Sequence, residues 1–241
     1  MLTQAANWNA PDNIIAFTTT RLGGCSQAPY NSNNLALHVE DEASNVYKNR
    51  QQLVELMRIP AEPVWLNQTH STHCIIVEED SNRDADAAIT RGANQPLVIM
   101  TADCLPILLC SETGDEIAAI HAGWRGLCQG IVENTLNKMT NKPESLIAWV
   151  GPAICGSCYE IGNEVFEAFT TKNPETQVGF QAKADKWLAN LPLIAQISLN
   201  ALGINKVFQS NLCTFEQEDL FFSYRKRPQT GRIATLIWLR E

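Results

Sequence analysis

The chain is short of positive charge: 18 Lys and Arg stand against 26 Asp and Glu, a net charge of −8. That balance argues against a nucleic-acid binder, because affinity for a phosphate backbone comes mainly from Lys and Arg. The one basic run, Tyr224-Arg225-Lys226-Arg227, reads as a solvated edge on an acidic background. No apolar run approaches the ~20 residues of a membrane helix, so no membrane partner is expected. The opening MLTQAANWNAPDN carries neither a basic nor an apolar leader segment. A cytoplasmic location is the expectation. Also missing are a GxGxxG or Walker loop, internal repeats of 20–50 residues and a composition that would mark a linker.

Cysteine is not scarce. Eight are present, at 25, 74, 104, 110, 128, 155, 158 and 213. In a cytoplasmic chain of this size they are expected to be reduced. Cys74, Cys110 and Cys128 lie in apolar patterns and read as core packing. Cys155-x-x-Cys158 lacks a second Cys/His pair and a thioredoxin-like context, so it reads as incidental.

At 241 residues the chain can bury a sizeable core. Apolar, β-branched runs predict strands at 13–20, 64–66, 74–79, 145–150, 206–210 and 233–239. Helical spacing predicts helices from Asp41 or Ser44 to Met57, over 125–139, over 163–171 and over 191–202. Residues 25–37, 80–96 and 172–186 read as loops. Helix and strand alternate loosely, and the whole of 1–241 reads as a single mixed α/β domain.

The chemistry gathers around Leu97 to Gly126. LVIMTADCLPILLC passes through Asp103 and Cys104, and EIAAIHAGWRG passes through His121 to Trp124 and Arg125. His70, in NQTHS, likewise follows a predicted strand end. Such positions collect functional side chains, since a rigid sheet holds them while they face a cleft. Two imidazoles and one thiol make a three-ligand zinc set with a fourth position open, where Zn²⁺ lowers the pKa of bound water towards ~7. Copper suits the same donors. The residues read equally as unconnected core positions, because 34 and 17 residues separate them and no local motif joins them. His38 stands beside a loop where it could join the site, whereas His73 reads as packed. Arg21 and Arg125 are anion candidates, the latter at a predicted helix entry. Tyr159 and Glu160 follow a Gly-Pro turn and could face a cleft.

With these residues in view, the chain resembles the YfiH family, also called the laccase-domain or peptidoglycan-editing-factor family. The matching segments are TTTRLGGCS (18–26), NLALHVED (34–41), VWLNQTHS (64–71), DADAAIT (84–90), MTADCLPILLC (100–110), AAIHAGWRG (118–126), GPAIC (151–155), CYEIG (158–162) and the run from Cys213 to Leu239. The resemblance implies a four-layer α/β/β/α sandwich with mixed sheets, of a type grouped with cysteine hydrolases. It implies that His70, Cys104 and His121 bind the metal. Ser71 departs from the glycine that usually follows the first ligand, and CGSC departs from the family's usual segment.

The activity implied is zinc-dependent phosphorolysis of adenosine, inosine and methylthioadenosine, with adenosine deamination beside it. In that scheme Asp103 is the acid/base group, Cys104 and His121 are catalytic, and Arg21, His38 and Arg125 hold phosphate or substrate. Two alternatives come with the family: copper-dependent polyphenol oxidation, and cysteine-hydrolase editing of cell-wall precursors through Cys104 and His121. Four histidines are too few for a four-copper relay. On every version the partner is a small molecule.

Overall fold

A strand turns alternate side chains to opposite faces, so continuous apolar runs such as LPILLCS and LIAWV demand cover on both sides. The computed structural model describes residues 2–241. It runs β1 (Thr3–Ala5), β2 (Ile14–Thr19), α1 (Ala43–Met57), β3 (Cys74–Ile76), β4 (Ala87–Thr90), β5 (Leu97–Thr101), β6 (Leu105–Ser111) and β7 (Ile117–Ala122). Then come α2 (Trp124–Gln129), α3 (Ile131–Leu136), β8 (Leu146–Val150), β9 (Glu160–Ile161) and α4 (Asn163–Lys172). The last part holds β10 (Phe180–Lys183), β11 (Lys186–Ala189), α5 (Leu191–Ala201), β12 (Lys206–Gln209) and β13 (Ile233–Leu239).

Two sheets carry the architecture. One orders its strands β12-β8-β6-β7-β4-β3, antiparallel inside and parallel at both outer pairs. The other, β1-β2-β13-β5, is antiparallel throughout. A small sheet, β10-β11-β9, stands apart from both.

The buried residues sort by parity into layers. Leu105, Ile107 and Leu109 of β6, with Ala118 and Ile120 of β7, pack with residues of α3, α4 and α5 such as Val132, Val165 and Ile194. Their neighbours Leu108, Cys110, Ile117 and Ala119 meet Leu97 and Ile99 of β5 and Ile237 of β13 between the two sheets. Val98, Leu236 and Trp238 face outward from the second sheet and pack against Leu53 of α1. The order of layers is helices, sheet, sheet, helix, the expected four-layer α/β/β/α sandwich with mixed sheets.

The local expectations fared unevenly, for identifiable reasons. The helix expected over 125–139 is two six-residue helices broken at Gly130, whose φ of 105° glycine adopts without strain. Residues 64–66 make only a bridge from Val64 to Leu97. Residues 80–96 contain β4, four buried residues whose signal is diluted by polar flanks. Residues 172–186 contain β10 and the start of β11. Neither Asp41 nor Ser44 caps α1. Its N-cap is Glu42, whose backbone N–H donates to Asp41 Oδ1 at 2.8 Å, and Ser44 lies inside the helix. Cys74 and Cys110 are buried as expected, whereas Cys128 is half-buried.

Candidate metal centre

Three different connections deliver the three expected ligands to one point. Cys104 lies in the three-residue turn that carries the chain from β5, in one sheet, to β6, in the other. His121 is the penultimate residue of β7, paired with Pro106, with the parity of Ile117 and Ala119, so it points between the sheets. His70 comes from the loop before β3 and sits at φ 61°, a conformation few non-glycine residues adopt. One donor atom from each residue lies within 4.8 Å of the other two. Cys104 Sγ is 3.8 Å from His70 Nε2, and the two imidazole rings meet edge to face with centroids 4.7 Å apart.

Gly123 completes the cradle. A Cβ there would lie 2.8 Å from His70 Cδ2, closer than Cβ atoms come to a neighbour, and a tight 3.2 Å from Cys104 Sγ. The first glycine of HAGWRG is therefore required by crowding; its φ is an ordinary −64°.

Asp86 is a member of the cluster that the sequence reading passed over. It stands just before β4, fully buried. His121 Nδ1 lies 2.7 Å from Asp86 Oδ1, while the backbone N–H groups of Thr69, His70 and Ser71 and the Ser71 hydroxyl also donate to the same carboxylate. Ser71, the departure from the family pattern, thus adds a hydroxyl donor at 2.7 Å. Burial opposes ionisation of Asp86, but the hydrogen bonds from His121 and Ser71 outweigh it and hold the carboxyl at about 2. Burial also opposes charge on His121, and Asp86 with Cys104 overcomes it, raising the imidazole to about 9. Cys104 follows the same logic in reverse: burial would raise the thiol, and His121 and His70 bring it down to about 6. A thiolate beside a charged His121 is the result.

The cluster opens onto two adjoining cavities of about 420 and 430 Å³, sizes typical of small-molecule sites. One is walled by Trp124, Ile154, Tyr159, Tyr224 and Pro228. The other includes His38, Gln68, Met100 and Arg232. Arg125 lines both; it stacks over the Trp124 ring at 4.4 Å and makes no hydrogen bond or ion pair among the described residues. Burial and the nearby Arg232 disfavour the charged form of the His38 imidazole and lower its pKa. Tyr159 keeps its proton: burial and Cys104 push it up to about 12.

Other expectations do not meet at this point. Arg21 lines a separate cavity with Asn31 and Glu218, its guanidinium donating to both backbone carbonyls. Asp103 lines the first cavity, yet both its oxygens are engaged. Oδ1 accepts from Thr214 Oγ1 at 2.6 Å, and Oδ2 accepts from Ser223 Oγ and the Arg225 N–H. With φ at 86° it shapes the turn that presents Cys104. His73 is exposed, and Glu160 faces outward to Lys183 and Lys186. The run at 224–227 is only partly a solvated edge: Lys226 and Arg227 pair with Glu218, but Tyr224 and Arg225 wall the cavity.

The chain is similar to known proteins over nearly its whole length. A model of the family described as multi-copper polyphenol oxidoreductase laccase matches residues 15–240. A Haemophilus influenzae protein named purine nucleoside phosphorylase is 49% identical over 236 residues, covering 96% of this chain and 97% of that protein. The Escherichia coli protein named purine nucleoside phosphorylase YfiH is 39% identical over 234 residues, 96% of each. Among solved structures, a Neisseria meningitidis protein superposes with a TM-score of 0.95 at 40% identity, over 99% of both chains. Bacillus licheniformis YfiH superposes at 0.88 and 26% identity, over 94% of this chain and 93% of that one.

Proposed function

The chain belongs to the multi-copper polyphenol oxidoreductase laccase family, and from that premise we propose that it is a zinc-dependent purine nucleoside phosphorylase acting as one domain over its length. The observation that carries this is the convergence of His70, Cys104 and His121 beside two adjoining cavities, one aromatic-walled, both lined by Arg125, whose guanidinium has no hydrogen-bond or ion-pair partner among the described residues. The names of the Haemophilus and Escherichia relatives supply the reaction class.

The donor set fits a zinc ion. One thiolate and two imidazoles are borderline-soft ligands that leave a fourth position open, and Gly123 leaves room where a side chain would intrude. A zinc ion held there would act as a Lewis acid towards a substrate oxygen. Copper suits the same donors, but among the described residues histidines converge on one cluster only, so a multi-copper relay is not part of this reading.

The protein's own residues divide the remaining work. Asp86 accepts from His121 Nδ1 and so leaves Nε2 as the ligating atom. Arg125 supplies a cation for phosphate. Trp124, Tyr159 and Tyr224 offer flat faces for a purine, and the protonated Tyr159 hydroxyl can donate to a ring nitrogen as the base leaves. Phosphorolysis then joins a phosphate oxygen to the sugar carbon and releases the base. Adenosine, inosine and methylthioadenosine are the nucleosides this reading assigns to the cavity. Adenosine deamination in the same cavity is the second activity proposed; Asp103 lines that cavity while its carboxylate accepts from Thr214, Ser223 and the Arg225 N–H.

One observation favours a second reading. Cys104, His121 and Asp86 stand in the order nucleophile, base and orienting carboxylate, as in a cysteine hydrolase. The discriminating experiment incubates zinc-loaded protein with adenosine and phosphate and measures adenine and ribose 1-phosphate. Chelation that abolishes release supports phosphorolysis; full amide hydrolysis after chelation, lost on alkylating Cys104, would replace it with the hydrolase.

A further inference from the structure

Cys155-x-x-Cys158 lacks a second ligand pair in the sequence, and the fold supplies one. The turn after β8 runs beside the segment after β12, joined by a parallel bridge between Ala153 and Cys213. Thr214 N–H donates to the Ala153 carbonyl at 3.0 Å, and Cys155 N–H donates to Cys213 Sγ at 3.3 Å. Cys155, Cys158, Cys213 and Glu216 thereby bring one donor atom each within 4.8 Å of one another. Cys158 Sγ lies 3.6 Å from Glu216 Oε1, and Ser157 Oγ sits 3.0 Å from Cys155 Sγ and 3.8 Å from Cys158 Sγ. Cys213 is buried and the other two thiols are half-buried.

We propose that these four residues form a second, structural zinc site, separate from the centre at His70, Cys104 and His121. Two turns each contribute two ligands with two residues between them, Cys155 to Cys158 and Cys213 to Glu216, the layout by which small loops close around Zn²⁺. Three thiolates select a soft or borderline cation over magnesium or calcium. Four protein ligands leave no open position, so the ion binds structure and not substrate.

The placement gives the ion a mechanical task. The first turn leads directly into Tyr159, and Ile154 N–H donates to the Asp103 carbonyl at 3.0 Å. The second leads to Ser223 and Arg225, which hold the Asp103 carboxylate. A cation joining them would clamp two walls of the catalytic cavity. This inference stands on its own donors and does not depend on what the first centre catalyses.

The test is metal stoichiometry on the reduced full-length protein loaded with Zn²⁺ and freed of excess. Two equivalents per chain are expected for the native protein, one for C155S/C158S, and one for C104S/H121A. Since a double variant can fail to fold, Glu216→Gln provides a milder probe, expected to weaken zinc at the second site roughly tenfold or more without removing the first equivalent. Cobalt substitution gives an independent readout, because thiolate charge-transfer absorption scales with the thiolates bound: three at this site and one at the other. Native protein that binds only one equivalent, or that shows the same cobalt spectrum as C155S/C158S, overturns the proposal. So does a 155–158 or 155–213 disulfide that re-forms in air in the presence of stoichiometric zinc.

Discussion

His121 Nδ1 and Asp86 Oδ1 are 2.7 Å apart, both buried, and bring together residues 35 positions apart in the chain. The contact fixes which imidazole nitrogen faces Cys104. Asp86→Asn is expected to keep the volume but lose the charge that orients His121, weakening zinc by roughly 10–100-fold. A zinc-competition titration checks it. Because the same carboxylate gathers the N–H groups of Thr69, His70 and Ser71, the melting temperature should fall as well.

Gly123→Ala tests the cradle. The added methyl would collide with His70 and Cys104, so metal content and activity should both drop by about a hundredfold while the far-ultraviolet circular dichroism stays native. Unchanged zinc content would show that the crowding at Gly123 is not needed to shape the centre.

Arg125→Ala should raise KM for phosphate about tenfold, the size of one charge-assisted hydrogen bond, and leave zinc content alone. Arg21→Ala should leave KM for phosphate unchanged, since that guanidinium is engaged with Asn31 and Glu218 in a different cavity. Initial-rate kinetics at varied phosphate separate the two.

Glu116, the residue before β7, is expected to make an acid-sensitive contribution to stability at the opposite end of that strand from His121. It is fully buried; burial favours its neutral form, but N–H donors from Asn141 and Thr140 and the Arg91 guanidinium at 2.7 Å win and lower its pKa. A carboxyl depressed on folding stabilises above the unfolded value of ~4.3 and loses that contribution as pH falls through the lower folded value. Glu116→Gln should cost about 1–3 kcal/mol at pH 7 and flatten the decline of stability below pH ~4, as read from urea melts across pH.

Much of this was legible in the residues. The strand period in β6, β7 and β8 places side chains on two faces, and HAGWRG and ADC mark two residues of the cluster because each stands where a strand ends. Asp86 was harder to see. It lies among polar residues, and its role exists only because β4 lies beside β7, a pairing no local pattern announces. The same is true of Tyr224 and Arg225, whose basic neighbours disguise them as surface. Arg21 failed in the opposite way: a suitable residue type after a strand, carried by the fold to another cavity. Cys155 and Cys158 lacked a visible second pair because Cys213 and Glu216 come 58 residues later.

The position of β13 between β2 and β5 has a consequence for biosynthesis. As the polypeptide leaves the ribosome, β2 and β5 emerge early and have no partner between them until residues 233–239 appear. Tyr224, Arg225 and Arg232 lie just ahead of β13 or at its edge and are made with it. Neither the middle of that sheet nor the wall of the cavity formed by Tyr224, Arg225 and Arg232 can therefore be completed before residues 224–239 are made.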